Sequence, residues 1–146
     1  MVHPPLALVL LRASRWFDAE LLKRLEEDGW PRLSSAQSLV FAYLPEDGLP
    51  PAELARRLGT TRQAAHQLVA GLCRLGLLAV ADDDSRRRGR FVVLTATGEA
   101  LASDARRVLA ELEHALGADR VTALHELLDP IGRGPIDGAE APRDGG

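Results

Sequence analysis

Eight arginines lie between Arg56 and Arg90, namely Arg56, Arg57, Arg62, Arg74, Arg86, Arg87, Arg88 and Arg90, against three acids, Asp82, Asp83 and Asp84. The segment carries a local excess of five positive charges inside a chain of net charge −3. Guanidinium groups at this density suit phosphate oxygens, and an arginine that reaches a base edge pairs bidentately with guanine. Arg62, Gln63, His66 and Gln67 fall at spacings that place them on one side of a helix. Gln supplies the matching bidentate pair for adenine. Thr60 and Thr61 stand where the free amides of that helix begin, a setting that suits a phosphate, and Arg74 near its end can hold another. No Asp or Glu occurs between Arg56 and Val80. A helix that merely faces water normally carries acids as well as bases, so the bias favours a polyanion, double-stranded DNA, over a simple solvated face.

A second arginine group, Arg86, Arg87, Arg88 and Arg90, sits between and on two β-prone runs, LLAVA and RFVVL. A two-stranded ribbon with arginines at its tip can enter a minor groove, where narrow A·T segments concentrate negative potential. The acids before them can orient the guanidinium groups. Taken alone, the run is no more than a charged turn. Its place directly after the polar helix is what makes it informative.

The elements that must position these residues follow from local signals. Leu6, Val9, Leu10, Ala13, Phe17, Leu21 and Leu25 recur at helical spacing between Pro4-Pro5 and Gly29, which predicts a helix over about 5–28. Ser34 or Ser35 caps a second helix to Leu44, where Pro45 blocks continuation. PEDGLPP reads as a loop. Pro51 suits the first turn of AELARRL, which Gly59 closes, and Thr60 or Thr61 caps a fourth helix from Arg62 to Leu75. The short turn LGTT, the small Ala55, and Leu54, Leu58, Ala65, Leu68 and Leu72 turned inward have the internal logic of a helix-turn-helix. After the hairpin, Thr95 caps a helix with a heptad-like seam of Leu101, Ala105, Val108, Leu112 and Ala115, ended by Gly117. A last helix carrying Val121, Leu124 and Leu128 stops at Pro130.

The expected fold is mainly α with a small β-hairpin: a winged helix-turn-helix over about 35–95, with dimerisation helices at about 5–28 and 96–129. These make a single domain over 1–131, and the Gly- and Pro-rich tail 132–146 reads as disordered. The terminal helices have longer apolar faces than a chain of this size can cover alone, which points to a homodimer. Composition is that of a globular protein, with 46% hydrophobic and 27% charged residues. A lone cysteine, Cys73, excludes a disulfide framework and a cysteine-based zinc cluster. MVHPPLALVLLRASRW lacks a basic residue before its apolar run and reads as an amphipathic helix, not a signal peptide. No stretch is long enough to span a membrane, so the expected location is the cytoplasm.

DDSRRRGRFVVLTATG, from Asp83 to Gly98, together with AELARRLGTTRQAAHQLVAGLCRLGLL, resembles the MarR family of winged-helix transcription regulators. Over roughly residues 6–129, Asp83, Arg87, Arg88, Val92, Leu94, Thr95 and Gly98 fill the family's wing pattern. Two positions depart from it: Arg86 replaces the usual second acid and Asp84 stands where Pro is common, which makes the wing more basic and less rigidly braced. The resemblance implies a dimeric repressor or other regulator on a pseudo-palindromic operator, with a small-molecule signal that weakens DNA binding. Effectors of the family sit between the dimer helices and the DNA-binding lobe. Arg12, Trp16 and Trp30 are the candidates to line such a pocket for a small aromatic or anionic ligand, against the plainer reading of core and interface packing.

On this reading Arg62, Gln63, His66 and Gln67 read bases, Thr60, Thr61 and Arg74 hold phosphates, and Arg86, Arg87, Arg88 and Arg90 work the minor groove or its rims. Cys73 reads as a buried inert thiol. His114 and His125 have no metal-ligand spacing, and no cofactor is expected. There is no nucleophile–base arrangement, phosphate-binding glycine loop or HExxH, so the chain is not expected to be an enzyme. The rival is a winged-helix protein-interaction module without DNA binding. That rival predicts acids or apolar residues on the outer face of the fourth helix, where arginine and glutamine stand instead.

Overall fold

The computed structural model describes residues 2–82 and 89–132. Eight elements follow in chain order: α1 (Leu6–Glu27), α2 (Ser35–Tyr43), α3 (Pro51–Leu58), α4 (Arg62–Arg74), β1 (Leu78–Asp82), β2 (Arg90–Leu94), α5 (Ala96–Leu116) and α6 (Ala118–Gly132). The chain divides into two compact units, residues 1–109 and 110–146, with the boundary inside α5.

In the first unit, each helix begins and ends on a physical signal. The α1 helix runs into Asp28 and Gly29, whose φ of +95° turns the chain, and the Trp30 amide closes back on the Leu25 carbonyl. Ser34 and Gln37 form a reciprocal capping box at the start of α2: the Ser34 hydroxyl accepts from the Gln37 amide, and the Gln37 side chain accepts from the Ser34 amide. Pro51 occupies the first turn of α3, and Gly59, in the left-handed region at φ +66°, ends it. The Thr61 hydroxyl caps α4 by accepting from the Ala64 amide at 3.1 Å.

The hairpin is antiparallel, pairing Leu78 with Leu94 through to Asp82 with Arg90. Strand β1 therefore starts one residue later than LLAVA predicts. Leu77 belongs to the turn from α4: its amide bonds the Leu72 carbonyl and its side chain is fully buried. The stretch read as a plain loop, PEDGLPP, also contributes a short bridge, in which Leu49 exchanges both backbone hydrogen bonds with Val92. Gly48 makes that approach feasible. Its φ is +82°, and a Cβ there would lie 2.5 Å from the Val92 carbonyl oxygen.

One core joins these parts. Leu33, Val40, Leu44, Leu49, Leu54, Val69, Leu72, Leu77, Leu78, Val92 and Leu101 pack together, drawing from α2, α3, α4, the hairpin and the start of α5. The inner line of α4 is Ala65, Val69 and Leu72, and Leu68, expected in it, is half-buried and packs against the same core. The second half of α1 buries Leu21 and Leu25, whereas Leu6, Leu8, Val9 and Leu11 in its first half are exposed.

The second unit holds the end of α5, Gly117 at φ +101°, and α6. Here α6 continues past the expected stop at Pro130 to Gly132. Proline so near a helix end removes a single N–H donor, and the Glu126 carbonyl it would have served belongs to an exposed residue that water can satisfy. The wing tip 83–88, including Arg86, Arg87 and Arg88, and the tail from 133 lie outside the described residues.

Candidate nucleic-acid interface

Helix α4 is held by one side and offered by the other. Ala65, Val69 and Leu72 are buried, so the 3.6-residue period turns Arg62, Gln63, His66 and Gln67 outward, and all four are exposed. The first turn of α4 holds no acid and begins with Arg62. An arginine at a helix N-terminus opposes the helix dipole, where Asp or Glu would complement it. That end of α4 is therefore electrostatically open to an external anion. Thr61 uses an oxygen lone pair on the Ala64 amide, which leaves its hydroxyl proton free to donate outward. Thr60 is half-buried with its amide on the Ala55 carbonyl. Arg74, in the last turn of α4, is exposed.

The wing meets this helix. Arg62, Gln63 and His66 share one open cleft of about 570 Å³ with Arg90, the first residue of β2, and with Pro50, Pro51 and Ala52 at the start of α3. Four of the sequence-predicted site residues are thereby brought to one place. The α3 residues were not anticipated there, although proline at the first position of a helix marks a terminus with unpaired amides. Behind this cleft a smaller, mostly apolar pocket of about 210 Å³ is lined by Ala65, His66, Val69, Ala70, Cys73, Val80 and Arg90, among others. Burial raises the Cys73 thiol pKa above its ordinary value, and nearby Arg74 opposes the shift. The shift favours the protonated thiol, but Cys73 is half-buried rather than buried as expected, because it lines this pocket.

Two further arginines have an internal partner. Glu53 accepts from Arg56 Nε at 3.0 Å and from Arg57 Nε at 3.3 Å. Hydrogen bonding from Arg56 first, and then from Arg57, pulls the Glu53 carboxyl from its ordinary 4.5 down to about 2, against the opposing effect of burial. The spacings of three and four residues on α3 are the sequence signal for this clamp.

The candidate effector residues are placed differently. Arg12 and Trp16 are one turn apart on α1 and both are exposed; Trp16 stands edge-on to Phe17 at 5.1 Å. Trp30 lies beyond the end of α1, more than about 16 Å from Trp16 along the axis at 1.5 Å per residue. Its indole N–H donates to Asp104 of α5 at 2.8 Å, and its ring packs on the core.

The MarR family model matches residues 33–89, the stretch from the start of α2 to the wing. Over that stretch this chain is similar to the MarR family. Solved structures share the wider architecture. Rv2887 of Mycobacterium tuberculosis, a MarR-family protein solved in complex with salicylic acid, is 28% identical, with 89% of this chain and 98% of that chain covered and a TM-score of 0.63. The reduced form of MarR from E. coli is 23% identical, over 90% of this chain and 98% of that one, with a TM-score of 0.71. NadR in complex with 4-hydroxyphenylacetate is 21% identical, over 91% and 96%, with a TM-score of 0.66. No curated protein matches the chain. Among the described residues no helix is long and apolar enough to cross a membrane.

Proposed function

We propose that this MarR-family chain is a sequence-specific DNA-binding regulator, a repressor acting as a homodimer on a pseudo-palindromic operator in the cytoplasm. The observation that carries the reading is the convergence of Arg62, Gln63 and His66 of α4 with Arg90 of the wing on one cleft, at a helix end without acids. In a major groove, Arg62, Gln63, His66 and Gln67 read base edges. Thr60, Thr61 and Arg74 hold flanking phosphates, and Arg86, Arg87, Arg88 and Arg90 work the adjacent minor groove.

The dimer is supported by apolar surface at both ends of the chain. Leu6, Leu8, Val9 and Leu11 of α1 and Leu124, Leu127 and Ile131 of α6 are exposed, more than a solubly monomeric chain usually tolerates. Control by a small effector is supported by the salicylic acid and 4-hydroxyphenylacetate complexes of Rv2887 and NadR. No catalytic role is assigned to any residue.

The test is selection from a randomised duplex pool, followed by titration of the winning site across a range of salt. The expected result is an enriched near-palindrome, with half-sites about one helical turn apart and a steep salt dependence. Sequence-blind, weak binding without enrichment would instead favour a protein-interaction role for the winged helix.

A further inference from the structure

A cavity of about 510 Å³ opens on the first unit, away from the α4–wing cleft. Its floor is apolar: Phe41 and Leu44 at the end of α2, Leu94 at the end of β2, and Ala102 of α5. Its rim is charged, with Glu46 in the loop after α2, and Glu99 and Arg106 on α5. The size falls within the range of small-molecule sites.

The disposition of the rim charges selects a ligand. Glu99 and Arg106 lie on the same face of α5, seven residues and so roughly 10 Å apart along the axis. That is two turns, beyond the three- or four-residue spacing at which side chains on a helix pair. Among the described residues, Glu46, Glu99 and Arg106 form no ion pair or side-chain hydrogen bond with one another or with any other residue. Opposite charges thus face one apolar floor without neutralising each other. Two carboxylates against one guanidinium repel a plain aromatic acid overall, and a plain amine leaves Arg106 unanswered. A molecule with an ammonium at one end, a carboxylate at the other and an apolar body between them answers all three groups and covers the floor.

We propose that this cavity binds a small zwitterion, an amino-carboxylate with an aromatic or aliphatic body. Its ammonium sits between Glu46 and Glu99, its carboxylate on Arg106, and its body on Phe41 and Leu94. Such a ligand touches the last residue of the wing strand and the first turns of α5 together. Two contacts tie that junction to the turn that follows α4: the Thr95 hydroxyl donates to the Gly76 carbonyl, and Gly98 lies against the Leu77 backbone. A ligand here is thus in a position to shift the wing relative to α4. That it changes DNA affinity rests on the DNA-binding reading above, whereas binding itself does not.

The experiment is calorimetric titration of the full chain with three matched probes. These are 4-(aminomethyl)benzoate, 4-methylbenzoate, which lacks the ammonium, and benzylamine, which lacks the carboxylate. The zwitterion is expected to bind at least about five-fold more tightly than either half, the scale of one partly solvated ion pair. Arg106→Gln should erase its advantage over benzylamine, and Glu99→Gln its advantage over 4-methylbenzoate. Equal or tighter binding of 4-methylbenzoate, zwitterion binding indifferent to both substitutions, or no binding of any probe to a chain that circular dichroism shows folded would each overturn the proposal. Zwitterion preference retained by a chain that selects no DNA sequence would uphold this site and fail the DNA reading.

Discussion

The hydroxyl of Thr95 donates a 2.6 Å hydrogen bond to the carbonyl of Gly76, and its oxygen accepts the Gly98 amide at 3.0 Å. One side chain thereby caps α5 and ties it to the turn that ends α4. Thr95→Val keeps the shape and removes both bonds. It should cost about 1–2 kcal/mol of unfolding free energy, and Thr95→Ser should recover most of it. Denaturant titration of the three chains measures this; a Thr95→Val chain as stable as the parent would show the bonds to be idle.

Gly98 should reverse the usual sign of a helix substitution. Glycine to alanine in a helix ordinarily stabilises by about 1 kcal/mol. Here the added Cβ would lie 2.0 Å from the Leu77 carbonyl oxygen, a backbone atom that cannot swing aside. Gly98→Ala should therefore destabilise by about 2–3 kcal/mol, through displacement of α5 from the α4–β1 turn. Thermal unfolding monitored by circular dichroism decides the sign.

Trp30 and Asp104 are 74 residues apart and joined by a 2.8 Å hydrogen bond; Arg107, near Asp104, also reaches Asp28 at 3.1 Å. Asp104→Leu leaves the half-buried indole N–H without its acceptor. The expected loss is about 1–2 kcal/mol, with a change in Trp30 emission measured in a Trp16→Phe background. Asp104→Asn, which keeps an acceptor oxygen, should lose less.

Glu53 makes a statement about pH. Its folded-state pKa of about 2 lies below its ordinary 4.5, so folding favours the ionised form. The contribution is fully present above about pH 4.5 and disappears as the pH falls towards 2. Because the clamp lies at the surface, salt should weaken it. A carbon-13 titration of the Glu53 carboxyl should show a midpoint near 2, shifted upward in Arg56→Gln; an unshifted midpoint near 4.5 would mean that the clamp does not form in solution.

On DNA, Gln63→Ala should relax preference at one base, costing about 1–3 kcal/mol on the selected site and little elsewhere. Arg74→Ala should weaken all sequences about equally and reduce the salt slope by about 1 per site. Binding unchanged in both Arg62→Ala and Arg88→Ala would sink the assignment of this surface to DNA.

What the sequence determined by itself is local. Ser34 with Gln37, Pro51, Gly59, Thr61 and Thr95 place helix ends by hydrogen bonds and backbone angles that span at most four or five residues, so they are readable in order along the chain. The outward side of α4 was legible too, because the helical period links Ala65, Val69 and Leu72 to the face opposite. Leu68, read into the same inner line, packs half-buried against that core. Pro130 misleads because its local rule is strong in a helix interior and weak near an exposed end.

Tertiary structure alone decided which distant residues meet. Nothing in the spacing of Leu49 announces its bridge to Val92, nor that of Pro51 its place beside His66 and Arg90. The same holds for Trp30 on Asp104, and for Glu46 across a cavity from Arg106. Those meetings depend on how helices cross and how closely backbones approach. These are set by the summed packing of a shared core and by the missing side chains of Gly48 and Gly98, and such collective terms leave no period in the sequence.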